Sequence, residues 1–139
     1  MYEKVDQELV QAARDIIAKR YIEGKHAIGA ALRTRKGNIF VGVHVEANCG
    51  RISLCGEAVA VGVAATNGDT EITQIVAVTE SGDVVPPCGM CRELISDYSP
   101  DARVILETGD EVKCVPVLEL LPEKYDGSKY PDRRKEQDS

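Results

Sequence analysis

The 139-residue chain contains no tryptophan and a single phenylalanine, Phe40, and aromatic residues make up only 4% of it. Surfaces that stack the bases of single-stranded nucleic acid need more rings than that. Positive charge is also short: 17 Lys and Arg stand against 23 Asp and Glu, a net charge of −6. A net acidic chain lacks the electrostatic footprint of non-specific nucleic-acid binding, so no nucleic-acid partner is expected. Long apolar runs are missing too. None approaches the roughly 20 residues of a membrane span, so no membrane partner is expected. The opening Met1-Tyr2-Glu3-Lys4 has no apolar stretch, which makes the cytosol, with its reduced thiols, the expected compartment. Hydrophobic residues at 43% and charged residues at 29% are the composition of one folded domain. Five cysteines are present, and in a reducing compartment they need a reason other than disulfides.

Apolar spacing of three and four over Val5 to Tyr21 predicts a helix, with Gly24 as its stop. Ala27–Leu32 and Ile39–Val45 read as strands joined by a short charged turn, an antiparallel hairpin. Gly50–Leu54 reads as a loop. The run from Cys55 to Thr66 is apolar all round and ends at Asn67-Gly68, which suits a buried helix. Ile72–Thr79 reads as a buried strand, 81–87 as a loop, and Cys91–Tyr98 as a helix stopped by Pro100. Arg103–Glu107 and Glu111–Val115 are separated by too few residues for a parallel crossover, so these last two strands are expected to be antiparallel. A short helix over Val117–Leu121 closes the series. The order α-β-β-α-β-α-β-β-α predicts one α/β domain over residues 1–125, a mixed five-stranded sheet with helices on both faces in three layers. Residues 126–139 mix charges without apolar periodicity and are expected to form a mobile tail.

The strongest chemical signal is Pro87-Cys88-Gly89-Met90-Cys91. Two thiols at C-x-x-C spacing before a helix can chelate one metal, and the helix N-terminus favours their thiolate form. The same spacing serves a thiol–disulfide oxidoreductase, so the motif alone leaves redox and metal readings open. Cys55-Gly56-Glu57 opens the preceding helix, with one strand between. Two such helices on one face of a sheet can bring their N-termini together. Three thiolates then leave the fourth tetrahedral position of Zn²⁺ for water, and Glu57 is near enough to move protons without ligating. The plainer reading makes Cys55 a small core residue and Glu57 a solvated helix-start charge. A closed structural zinc site in a non-catalytic module, with His44 or Cys49 as fourth ligand, is a further rival. Cys49 and Cys114 read most simply as small buried hydrophobes.

Cys55-x-Glu57 followed by Pro87-Cys88-x-x-Cys91 resembles the zinc-dependent cytidine deaminase family, with cysteine where the base-deaminase signature has histidine. The similarity runs from about Ala27 to Tyr125 and takes in Ile28–Leu32, Gly42–Glu46 and Leu120-Leu121-Pro122. It implies a zinc-dependent aminohydrolase of the compact, usually tetrameric type. The implied reaction converts a free cytosine nucleoside to its uracil counterpart and ammonia, as in pyrimidine salvage. The resemblance further implies that zinc is held by Cys55, Cys88 and Cys91, that Glu57 moves the protons, and that backbone N–H groups at Cys55 and Gly56 bind the ring O2.

Departures from the family pattern bear on substrate. The family usually reads C-A-E-R, whose arginine offsets the thiolate charge, and Ala58 stands there instead. Arg92 is then a candidate to compensate, or a partner for a helix acid. The sugar-reading N-V-E-N becomes His44-Val45-Glu46-Ala47, which keeps Glu46 as an acceptor for a sugar hydroxyl. His26 takes the place of an aromatic that stacks on the base. Ala58 and the ending Leu120–Tyr125 look similar to blasticidin-S deaminases, which act on a modified cytosine nucleoside.

Overall fold

The computed structural model describes residues 3–129. Helix α1, Gln7–Arg20, starts where Asp6 turns its carboxylate back to accept the Leu9 N–H at 3.1 Å, an N-cap that satisfies an otherwise free amide. Its Leu9, Val10, Ala13 and Ile17 form the buried face. Strands β1, Ile28–Thr34, and β2, Ile39–Val43, form the expected antiparallel hairpin. Helix α2 covers Gly56–Thr66, β3 Ile72–Thr79, β4 Val84–Val85, α3 Gly89–Tyr98, β5 Arg103–Thr108 and β6 Glu111–Pro116. Gly50–Ile52, Val117–Leu120 and Gly127–Lys129 are single 3₁₀ turns.

The sheet order is β2-β1-β3-β5-β6, with β4 paired to β3 off that path. The expected five-stranded mixed sheet is therefore present, with a sixth, two-residue strand added. Val84-Val85 is too short and too close to Pro86-Pro87 to announce itself in sequence. It pairs with the end of β3 at Ala77 and Val78, while the start of β3 pairs in parallel with β5. The chain leaves β4 straight into Pro86-Pro87-Cys88, so the sheet itself delivers the second cysteine motif. β5 and β6 pair antiparallel, as their short connection requires.

Period-two alternation sends side chains to two cores. Ala31, Val76, Val78 and Ile105 face α1, whereas Ala30, Leu32, Ile75, Ala77 and Val104 face α2 and α3. Two glycines set how close the helices come. A Cβ on Gly29 would lie 2.6 Å from the Ala13 carbonyl of α1. One on Gly42 would lie 2.5 Å from the Ala60 nitrogen and 2.9 Å from the Gly56 carbonyl. Only glycine lets the backbone of α2 rest against β2 this closely, which places the start of α2 over the hairpin. No helix among the described residues is long and apolar enough to cross a membrane. Most of the expected tail, residues 130–139, lies outside the described residues.

Candidate metal centre and active site

Helices α2 and α3 both begin at a cysteine. Cys55 is the N-cap of α2 and Cys88 that of α3, and neither makes a side-chain cap hydrogen bond. The amide donors of each first turn are thus left for whatever gathers at the two thiols, which is where a helix favours negative charge. Cys91 lies one turn into α3 and is buried, whereas Cys55 and Cys88 reach the surface. The three Sγ atoms lie within 4.8 Å of one another, and Cys55 and Cys88 are 3.6 Å apart. A tetrahedral Zn²⁺ with Zn–S bonds of about 2.3 Å holds its sulfurs about 3.8 Å apart. The donor set therefore fits zinc in both chemistry and spacing.

The thiols differ in their surroundings. Burial pushes the Cys91 thiol up, with the Glu57 charge adding to it. Burial also raises Cys55, reinforced by Cys88. At Cys88 burial acts in the same sense, but the Cys91 backbone N–H, the neighbouring thiols and the Met90 N–H outweigh it, and the net shift is downward. A cation at the centre of the trio supplies the missing compensation for all three thiolates.

Glu57 is 6% exposed, and burial raises its carboxyl above the ordinary range, with only its own backbone N–H opposing. It lines a cavity of about 240 Å³ with Ile28, His44, Cys55, Gly56 and Cys88. A desolvated carboxylate beside the thiol trio, with its affinity for a proton raised by burial, is suited to take up and release one. Gly56 packs closely: a Cβ there would lie 3.3 Å from the Ile28 carbonyl and 3.4 Å from Ala30.

The remaining candidates divide. His44 lines the Glu57 cavity. Its Nε2 lies 2.8 Å from Glu46 Oε2, and Glu46 Oε1 accepts from Ser53 Oγ at 3.1 Å. Ser53 is a polar contact that no spacing rule would select. His26 is placed elsewhere. Its Nδ1 donates to the His44 carbonyl at 2.8 Å, and its ring lines a separate cavity of about 280 Å³ with Ile16, Arg20, Val41 and Val59. Arg92 meets neither expectation, because it pairs with no helix acid and no thiol among the described residues. Its guanidinium donates to the carbonyls of Pro87 at 2.9 Å and Leu120 at 3.1 Å, tying the Cys88 loop to the turn after β6. Cys114 is buried as expected, which pushes its thiol up to about 11. Cys49 is exposed, because it heads a 3₁₀ turn in a surface loop.

Geometry decides among the rival readings of the motif. Neither His44 nor Cys49 joins the trio among the described residues, so a closed four-ligand structural site is not formed. A redox pair would use two thiols, yet a third shares the site at 3.6 Å. A mixed sheet with two cysteine-headed helices converging beside a buried carboxylate defines a thiolate-ligated zinc hydrolase. The comparisons sharpen that class. Residues 3–108 match the family model described as the cytidine and deoxycytidylate deaminase zinc-binding region. The chain is 45% identical over 128 residues to a blasticidin-S deaminase of Bacillus cereus, covering 86% of this chain and 91% of that protein. It is 31% identical over 97 residues to a cytidine deaminase of Halalkalibacterium halodurans, covering 68% of this chain and 74% of the other. A crystal structure of cytidine deaminase from Burkholderia pseudomallei superposes with a TM-score of 0.75 at 28% identity, over 88% of this chain and all of that one. The chain belongs to the zinc-dependent cytidine deaminase family, and it is a deaminase.

Proposed function

We propose that the protein removes the exocyclic amino group of a free cytosine nucleoside by hydrolysis, yielding the uracil nucleoside and ammonia. One observation carries this reading: Cys55, Cys88 and Cys91 converge beside a buried carboxylate, Glu57, that lines one cavity with Cys55 and Cys88. Cys55, Cys88 and Cys91 would hold zinc, which would supply the Lewis acid that makes water a competent nucleophile near neutral pH. Glu57 takes the proton lost from water and delivers it to ring N3. It then takes the proton of the new C4 hydroxyl and delivers it to the departing amine, so that C4=O forms as the C4–N bond breaks. The first amides of α2, at Cys55 and Gly56, are donors for the ring O2. Glu46 accepts from a sugar hydroxyl, with His44 hydrogen-bonded beside it. His26 donates to the His44 carbonyl and holds that segment from the other side.

A modified cytosine nucleoside such as blasticidin S is the second reading. It is favoured by the 45% identity to a blasticidin-S deaminase and by Ala58 at the family's arginine position. Without that arginine a zinc centre on the three thiolates would be more negative, which would weaken its activation of water and slow turnover on cytidine. The assembly proposed is a homotetramer in the cytosol. On the outer side of α2, Gly62 meets open space and Val63 is 37% exposed, a surface of small apolar residues that a second helix can cover. The test is a panel of cytidine, deoxycytidine and blasticidin S, scored by loss of cytosine absorbance and by ammonia release. Turnover of at least one supports the reading, and turnover of none overturns it. Sedimentation showing a fully active monomer at micromolar concentration removes the tetramer.

A further inference from the structure

His44 is held at every polar atom it has. Its backbone N–H donates to the Ile28 carbonyl at 2.9 Å, and its carbonyl accepts from His26 Nδ1 at 2.8 Å. The Ala27 N–H donates to its Nδ1 at 3.1 Å. A backbone N–H can only donate, so Nδ1 carries no hydrogen, and in the neutral ring the hydrogen sits on Nε2. Nε2 meets Glu46 Oε2 at 2.8 Å. No donor of His44 is left over for a ligand.

Glu46 is gripped from two sides. Its Oε2 accepts from His44 and its Oε1 from Ser53 Oγ, which in turn accepts the Ala47 N–H at 3.1 Å. A carboxylate has room for about four hydrogen bonds, so each oxygen keeps one acceptor position in a fixed direction. The hydrogen bond from His44, and then that from Ser53, hold the carboxyl below its usual range, so it acts as a charged acceptor only. Val45 and Leu54 exchange backbone hydrogen bonds of 2.9 Å in both directions. That bridge ties the segment carrying Glu46 to the one that ends at Cys55.

We propose that His44 and Ser53 are positioning residues that aim Glu46 at the sugar hydroxyl, and that His44 acts through Glu46 rather than by its own contact with the ligand. The proposal rests on the nucleoside reading above and sharpens its substrate class. The preferred ligand presents a hydrogen-bond donor to this carboxylate and needs no donor from residue 44.

A double-mutant cycle on the zinc-loaded, full-length protein tests it. Glu46→Gln raises the cytidine KM by about tenfold, as expected for a charge-assisted hydrogen bond, and His44→Phe raises it by a similar factor. If His44 acts only through Glu46, the double variant is within about twofold of Glu46→Gln. His44→Gln, whose amide N–H reaches the Nε2 position, restores KM to within about threefold of wild type. Ser53→Ala gives the same sign of effect with a smaller size. With 2′,3′-dideoxycytidine, which has no ring hydroxyl to read, none of these variants changes KM by more than about twofold. Losses that multiply in the double variant would mean that His44 contacts the ligand independently, and the proposal fails. Nitrogen-15 NMR of the histidine rings gives a check that needs no substrate. The chain has two histidines, and the expected pattern is Nε2–H for His44 and Nδ1–H for His26. An Nδ1–H tautomer at His44 overturns the clamp. Wild-type protein inert on every cytosine nucleoside would instead overturn the nucleoside reading and leave the NMR result standing.

Discussion

Helix α1 and helices α2 and α3 begin in opposite ways. At α1 the Asp6 carboxylate closes the first turn by accepting the Leu9 N–H, and it pairs with Arg33. At α2 and α3 the N-cap residues are Cys55 and Cys88, and neither side chain closes its turn. The first start is satisfied internally and faces the structural core around Leu9, Ala13 and Val76. The other two leave amide donors and thiols pointing at one place, where an external cation and an anionic transition state complete the set. A helix start that serves only the fold is capped by its own oxygen. One that serves chemistry is left incomplete, and its stability depends on what binds there.

Four experiments break or sharpen that contrast, in descending order of expected effect. Cys91→Ala removes a ligand of the incomplete pair of helix starts. Zinc content by elemental analysis should fall from one ion per chain to near none, with ammonia release at background. Full zinc occupancy in that variant would contradict the three-thiol centre. Glu57→Gln should keep fold and zinc and lose turnover by ~10²–10⁴, the range for a group that transfers protons. A variant within about tenfold of wild type would remove Glu57 from that role.

Gly42→Ala pushes a methyl group into the Ala60 nitrogen, so α2 must shift off the hairpin. Overpacking of this kind costs about 1–3 kcal/mol, read as a lower denaturation midpoint, and activity falls with it because Cys55 and Glu57 ride on α2. The smallest effect is at the capped start. Asp6→Ala should cost ~1 kcal/mol, as loss of an N-cap does, with zinc content unchanged. Its pH dependence has a definite sign. Hydrogen bonding from Arg33, then the Leu9 N–H, hold the Asp6 carboxyl below its ordinary value against partial burial. The stabilisation is therefore complete above the unfolded pKa of about 3.9 and is lost as pH falls through the lower folded value. The difference in midpoint between Asp6→Ala and wild type should be constant from neutral to about pH 5 and shrink in stronger acid.

Most of the site was legible because its chemistry needs reactive side chains at short spacings. Cys88-x-x-Cys91 and Cys55-x-Glu57 each lie within one helical turn, where spacing dictates proximity. The substrate-facing side was less so. His26 precedes β1 and His44 follows β2 at the same end of the hairpin, yet His26 lines a different cavity from His44. Ser53 carried no signal, because a serine in a loop is ordinary until a hydrogen-bond ladder brings it to Glu46. Arg92 illustrates the same limit, since its partners are backbone carbonyls of Pro87 and Leu120, which no side-chain pattern records.

By itself the sequence determined the order of the elements apart from β4, the antiparallel pairing of β1 with β2 and of β5 with β6, and the cysteine trio that can hold a metal with a glutamate beside it. Those depend on local periodicity, short connections and the chemical rarity of cysteine in such spacing. Tertiary structure alone decided that β3 divides its edge between β4 and β5, that Gly42 seats α2 on the hairpin, and that the two cysteine-headed helices meet within a few ångströms. It also decided that His44 faces Glu46. Each of these is a contact between segments far apart in the chain, set by how sheet pairing and close packing fill space, and no short stretch of residues contains that information.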